Sequence, residues 1–165
     1  MKTILIALTG LILASSTSTK VNAAEVKANR YVLANKAVAQ SYTDIVVLGN
    51  VDVTLVQGTS NQVTMEGYQS QLENVSMEVK GHTLYINTKG KSKGRNPMVY
   101  VPVSQLEFLR VQGNSNVKTL GYLQSPGLLI ELASECHVEV KTTGEIEISE
   151  ISSVEYKLEK WVSTI

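Results

Sequence analysis

The sequence predicts an all-β chain, more narrowly a right-handed parallel β-helix of roughly six short coils, and four observations predict it. Short runs with a period of two recur from Ile45 onward, Gly, Asn, Ser or Pro fall between them, and no stretch after residue 45 sustains the 3.6 period of a helix. The runs also repeat: VLGNVDV (47–53), VQGNSNV (111–117), LASECHV (132–138) and ISEISSV (148–154) each place an aliphatic residue six positions before a valine. An antiparallel β-sandwich is the alternative, because short strands and frequent turns suit it too.

The N-terminus is read first as an export signal. Met1-Lys2 is a short positive region, Thr3 to Ala14 is apolar, and Val21-Asn22-Ala23 offers a small residue at a cleavage point after Ala23. A dozen apolar residues fall short of the roughly 20 that span a bilayer as a helix, so no transmembrane span is expected. Removal of residues 1–23 from the 165 leaves 142 and takes Lys2 and Lys20 with it, so 13 basic side chains stand against 15 acidic ones. The expected location is the periplasm, the cell surface or the medium. Residues 24–42 lack clear alternation and are read as an N-terminal cap or linker, and the β domain as 43–165.

Seven runs carry the strand period most plainly: VDVTLV (51–56), VTME (63–66), VSMEV (75–79), LYIN (84–87), VYVPV (99–103), HVEVK (137–141) and VEYKL (154–158). Pro102 has no N–H for a ladder, so it belongs at an edge, a bulge or a place where a donor is not needed. Stacking the four repeats predicts inward columns Val47, Val111, Leu132, Ile148 and Val53, Val117, Val138, Val154, with Glu131, Glu139, Lys141, Glu145 and Glu147 outward. The final segment 154–165, with Trp161, is expected to close the C-terminal end, and oligomers would form through the coil ends.

The residues also carry a resemblance, in DIVVLGNVDVTLVQG (44–58), VTMEGYQSQLENVSMEVKGHTLYIN (63–87), MVYVPVSQLEFLRVQGNSNVKTL (98–120) and LLIEL (128–132). This pattern resembles the head GIN domain family, exported bacterial proteins labelled auto-transporter adhesins. The most specific parts are Gly49-Asn50-Val51-Asp52-Val53 with Gln57-Gly58, and Gly113-Asn114-Ser115-Asn116-Val117. The resemblance implies a β-helical fold, an adhesive or binding role and no known chemistry. It implies partners among envelope or host glycans or surface proteins. Two departures stand out: the chain ends soon after Ile148, earlier than family domains usually do, and it carries no translocator barrel.

Composition narrows function further. Fifteen Lys and Arg against 15 Asp and Glu give no general attraction for nucleic acid. Two His, one Cys and two Asp, Asp44 and Asp52, leave little from which to build a metal centre, a disulfide or a carboxylate active site. Calcium would require six to eight oxygen ligands, and no acids sit at calcium-loop spacing. Cys136 and His137 are adjacent on a strand and point to opposite faces, which argues against a nucleophile and base pair. The expectation is therefore no enzyme, no catalytic residue, no metal and no cofactor. A polysaccharide-active enzyme is the rival reading, with Glu131, Glu139 and Glu147 its nearest approach to an acid cluster. A structural assembly module is a further one.

Gly49, Asn50, Asp52, Gly113, Asn114 and Asn116 are read as structural corners, since Gly and Asn tolerate the backbone a sharp strand-to-strand turn requires. KGKSKGR (89–95) is the one dense basic stretch. Lys89, Lys91, Lys93 and Arg95 form either a solvated loop or a contact for anionic envelope groups.

Overall fold

The computed structural model describes residues 30–38, 41–90, 94–133, 136–150 and 155–160. The proposed signal peptide, Lys91, Lys93, Val154 and Trp161 lie outside the described residues. Thirteen strands are present among those described: β1 (Tyr31–Ala37), β2 (Asp44–Leu48), β3 (Asp52–Gln57), β4 (Gln62–Tyr68), β5 (Val75–Lys80), β6 (Thr83–Thr88), β7 (Met98–Val103), β8 (Phe108–Gln112), β9 (Asn116–Leu120), β10 (Gly127–Ala133), β11 (His137–Thr142), β12 (Glu145–Glu150) and β13 (Glu155–Lys160). A single helical turn, α1 (Gln69–Leu72), follows β4.

The strands form two mixed sheets. One has seven strands in the order β1-β4-β7-β3-β9-β11-β13, and the other six in the order β12-β10-β8-β2-β6-β5. Alternate residues of both sheets meet in one apolar cluster that includes Ile45, Val47, Leu55, Leu84, Ile86, Leu109, Ile130 and Val138. At roughly 1.5–3 kcal/mol for each fully buried aliphatic side chain, this shared interior is the main favourable contribution to the fold.

The predicted parallel β-helix is not what the chain forms. The two sheets do not close into a solenoid, and the arrangement is sandwich-like, as in the alternative reading, although most strand pairs run parallel where that reading had them antiparallel. Both sheets mix parallel and antiparallel pairs: β1 with β4, β4 with β7 and β5 with β6 run antiparallel. The order is not that of successive coils either, because β2 lies between β6 and β8, and β3 between β7 and β9. Local chemistry explains part of this. Gly81, at φ +62°, and His82 join β5 to β6 in a two-residue hairpin, which reverses the chain where a β-helix would carry it onward.

Residues 31–37, read as cap or linker, are instead a strand that extends the seven-stranded sheet beside β4. The register of the repeats needs a correction as well. Val47 lies opposite Val111, and Val111 opposite Leu132, but Ile148 lies opposite Ile130. Val53, Val117 and Val138 align, and the residue opposite Val138 on β13 is Tyr156 rather than Val154. A further β6–β7 copy aligns Leu84 with Ile45, Ile86 with Val47 and Val99 with Val53. Pro102 lies inside the seven-stranded sheet, but β4 pairs with β7 only from Met98 to Tyr100. That ladder ends before the missing N–H would matter.

Tyr42 enters the core just before β2, and its phenol donates to the Pro102 carbonyl. Burial pushes its pKa from 10.0 up to about 12. Below pH 10 the phenol is neutral in both folded and unfolded chains; above it the unfolded chain ionises first. Stability is therefore expected to fall as pH rises from 10 towards 12, by roughly 2–3 kcal/mol from this group. Tyr42→Phe should lower stability at pH 8 by about 1 kcal/mol through the lost hydrogen bond, with a flatter alkaline decline. Urea unfolding at pH 8, 10 and 11.5 checks this, and parallel curves for the two proteins would contradict it.

Candidate functional site

The corner residues singled out in the sequence stand one above another at one end of the sheets. Gly49 and Asn50 join β2 to β3, and Gly113 and Asn114 join β8 to β9. Gly49 has φ +88° and Gly113 φ +114°, and a Cβ on Gly113 would lie 2.5 Å from the Gly49 carbonyl oxygen. Between the two corners the buried Ser115 hydroxyl donates to Gly49 O at 2.7 Å and accepts from the Val51 N–H at 3.4 Å. On the other side the Asn50 N–H donates to Thr88 Oγ1 at 2.8 Å. Asp52 Oδ1 accepts from Asn116 Nδ2 at 2.9 Å, from the Asn116 N–H at 3.3 Å and from Asn96 Nδ2 at 3.1 Å. Asn96 also donates to the Asn114 carbonyl. The Asp52 carboxylate is thus occupied in joining three connections to one another.

The basic stretch lies in the connection from β6 to β7, at this same end. Of its four charged residues, Lys89 and Arg95 are described. The Lys89 N–H donates to Asn74 O, and the Arg95 carbonyl accepts from Gln71 Nε2 at 3.0 Å. These contacts tie both ends of the stretch to the segment around α1.

The outer face of the seven-stranded sheet has two characters. On β11 and β13 it is ionic: Glu159 accepts from Lys141 at 2.9 Å and Lys157 at 3.0 Å, while Glu139 lies 3.7 Å from Lys157 and 4.0 Å from Lys141. Hydrogen bonding to Glu159 raises the pKa of both lysines, and the same two bonds lower that of Glu159. Such exposed pairs contribute little stability. On β1, β4 and β7 the face is phenolic. Tyr31 donates to Glu66 Oε1 at 2.9 Å and Tyr100 to Glu66 Oε2 at 3.2 Å. The Tyr31 pKa is raised chiefly by that hydrogen bond, and the Tyr100 pKa chiefly by burial with the Glu66 bond second. Tyr68, opposite Tyr31, meets its ring edge to face at 5.5 Å.

Sequence reasoning missed these four residues. The alternation in QVTMEGY and MVYVPV was sufficient to put Glu66 and Tyr100 on the solvent side, and seven Tyr against one Phe and one Trp is an imbalance that favours polar aromatic surfaces. What was not readable was the antiparallel pairing that brings β1, β4 and β7 side by side.

At the opposite corner, Ser104, Gln105, Gln124, Ser125, Thr143 and Glu145 line an open groove of about 770 Å³. It offers hydroxyl, amide and carboxylate groups. The buried Ser125 hydroxyl donates to the Leu106 carbonyl, and Gly144 packs so closely that a Cβ there would lie 1.8 Å from Ser125 O. Cys136 is buried and His137 exposed, and burial raises the Cys136 thiol pKa. Among the described residues no three His, Cys, Asp or Glu side chains are placed to hold a metal ion, and no helix is long and apolar enough to cross a membrane.

Several solved structures share this fold. A chain described as a putative adhesin from Parabacteroides merdae is 17% identical, with a TM-score of 0.60 over 78% of this chain and 52% of its own. Another described as a putative adhesin from Bacteroides fragilis is 14% identical, with a TM-score of 0.53 over 74% of this chain and 62% of its own. The chain thus spans between half and two thirds of the length of these relatives. No curated protein matches the sequence. Residues 41–159, from just before β2 almost to the end of β13, match the family model described as "Putative auto-transporter adhesin, head GIN domain", and the chain belongs to that family.

Proposed function

We propose that the chain is an exported, non-catalytic adhesin-like domain that binds molecules of the cell envelope or of a host surface through the outer face of its seven-stranded sheet. One observation carries this reading: the exposed large apolar side chains of the described residues, Tyr31, Leu33, Tyr68, Leu120 and Tyr122, all lie on that sheet or directly after β9. They form two groups on that face, Tyr31, Leu33 and Tyr68 on β1 and β4, and Leu120 and Tyr122 at or just after the end of β9, with β7 and β3 between them. Apolar surface concentrated on one face marks an interaction surface more often than residues scattered over all sides do. The family description and the two related structures support an adhesive role.

The test is retention of the purified, labelled protein on whole cells and isolated envelope. The expected result is saturable retention, weakened about tenfold by Leu33→Ser combined with Leu120→Ser. Non-saturable retention, or retention indifferent to the double substitution, would overturn the assignment of this face.

A further inference from the structure

The register places a compact constellation at the phenolic end of this face. Leu33 lies opposite Glu66 and Glu66 opposite Met98, while Tyr31 pairs with Tyr68 and Tyr100 with Thr64. Glu66 is therefore central, with an apolar side chain on either strand beside it and a phenol held to each carboxylate oxygen. Tyr31 and Tyr68 remain 52% and 43% exposed although their rings touch at an interplanar angle of 89°. Leu33 is 67% exposed. Ring surface left in water and fixed by a charge-assisted hydrogen bond is poised for a ligand with little further loss of side-chain entropy.

We propose that Tyr31, Tyr68, Tyr100 and Glu66 form a binding site for a neutral, hydroxyl-rich saccharide. This rests on the adhesin-like reading above and names its ligand class. A pyranose has a C–H face that packs on an aromatic ring and a rim of hydroxyls that donate and accept. The Tyr31–Tyr68 pair and Leu33 supply the first complement. The lone pairs of Glu66 left over after two phenols, together with the phenol oxygens, supply the second. A purely apolar partner would strand the Glu66 carboxylate without water, which is costly. An anionic sugar would meet that carboxylate, although Arg95 is near enough to act on Tyr31.

The experiment is a glycan array carrying neutral, amino-substituted, sialylated and sulfated oligosaccharides, followed by calorimetry and size measurement on the best ligand. Tyr31→Ala, Glu66→Gln and Tyr100→Phe are compared with the unaltered protein, and thermal unfolding verifies that each is folded. The expected result is saturable binding to neutral glycans, with about a tenfold loss for Tyr31→Ala and for Glu66→Gln. Glu66→Gln keeps the shape and removes the charge, so it reports the carboxylate even where Tyr31→Ala disturbs the β1 edge.

Binding confined to sialylated or sulfated glycans overturns the proposal, as does neutral-glycan binding that no variant weakens. A dimer that Tyr31→Ala dissociates would show the face to be a self-association surface and overturn it too. Retention on cells without binding to any neutral glycan overturns the saccharide assignment and leaves the adhesin-like reading standing. Absence of retention on cells and envelope defeats that reading itself.

Discussion

Gly113→Ala is expected to destabilise the protein by about 3–5 kcal/mol, a large share of the 5–15 kcal/mol typical of a domain. Two effects add. Gly113 has φ +114°, a backbone conformation L side chains rarely adopt, which costs of order 1–3 kcal/mol. The new Cβ would also lie 2.5 Å from Gly49 O and 2.8 Å from Gly49 N, so the contact can be relieved only by moving backbone. Gly121 separates the two effects: its φ is +79°, and a Cβ there meets nothing within 4 Å. Gly121→Ala should therefore show the conformational cost alone, about 1–2 kcal/mol. Urea unfolding of both variants decides the matter. Equal losses would mean that the close approach of the two corners contributes nothing.

The same corner shows which features of the fold were legible in the sequence. Gly-Asn at 49–50 and 113–114 stood out because tight corners restrict residue type, and strand positions stood out because burial on one face imposes a period of two. Pairing order leaves no such mark. A strand buried on one face reads alike whether its neighbour runs parallel or antiparallel, so the repeat suggested coils in succession where β2 and β3 are interleaved between later strands. The period of two also explains the slip at Ile148. In EIEISE both Ile146 and Ile148 face inward, and a shift of two residues keeps every side chain on its own face. Pattern alone could not choose between them; the pairing of β10 with β12 does. The β6–β7 copy escaped notice because residues 89–97 lengthen its corner. Of the candidate site, the corner residues and the basic stretch were readable as local runs. The cluster around Glu66 was not, because it draws single residues from β1, β4 and β7.

Leu109→Ala should cost about 3–4 kcal/mol, measured as a lower urea midpoint with little change in slope. Leu109 is 0% exposed and stands opposite Ile45 on β2 and Ile130 on β10, both equally buried, near the middle of the six-stranded sheet. Ladder hydrogen bonds fix the spacing of those neighbours, so they cannot collapse into the space a missing isobutyl group leaves, and the cavity persists. Leu120→Ala removes the same atoms from a side chain 65% exposed on the other sheet and should change stability by less than about 0.5 kcal/mol. The pair makes scaffold and binding face separable. Leu109 is buried in the core between the sheets and reaches none of the outer surface of the seven-stranded sheet, so Leu109→Ala, kept well below its lowered melting temperature, should still be retained on cells like the unaltered protein. Leu33→Ser with Leu120→Ser should do the reverse, leaving the urea midpoint nearly in place while weakening retention. A loss of retention in folded Leu109→Ala would mean that binding depends on the six-stranded sheet as well, and the face assigned to adhesion would have to be redrawn.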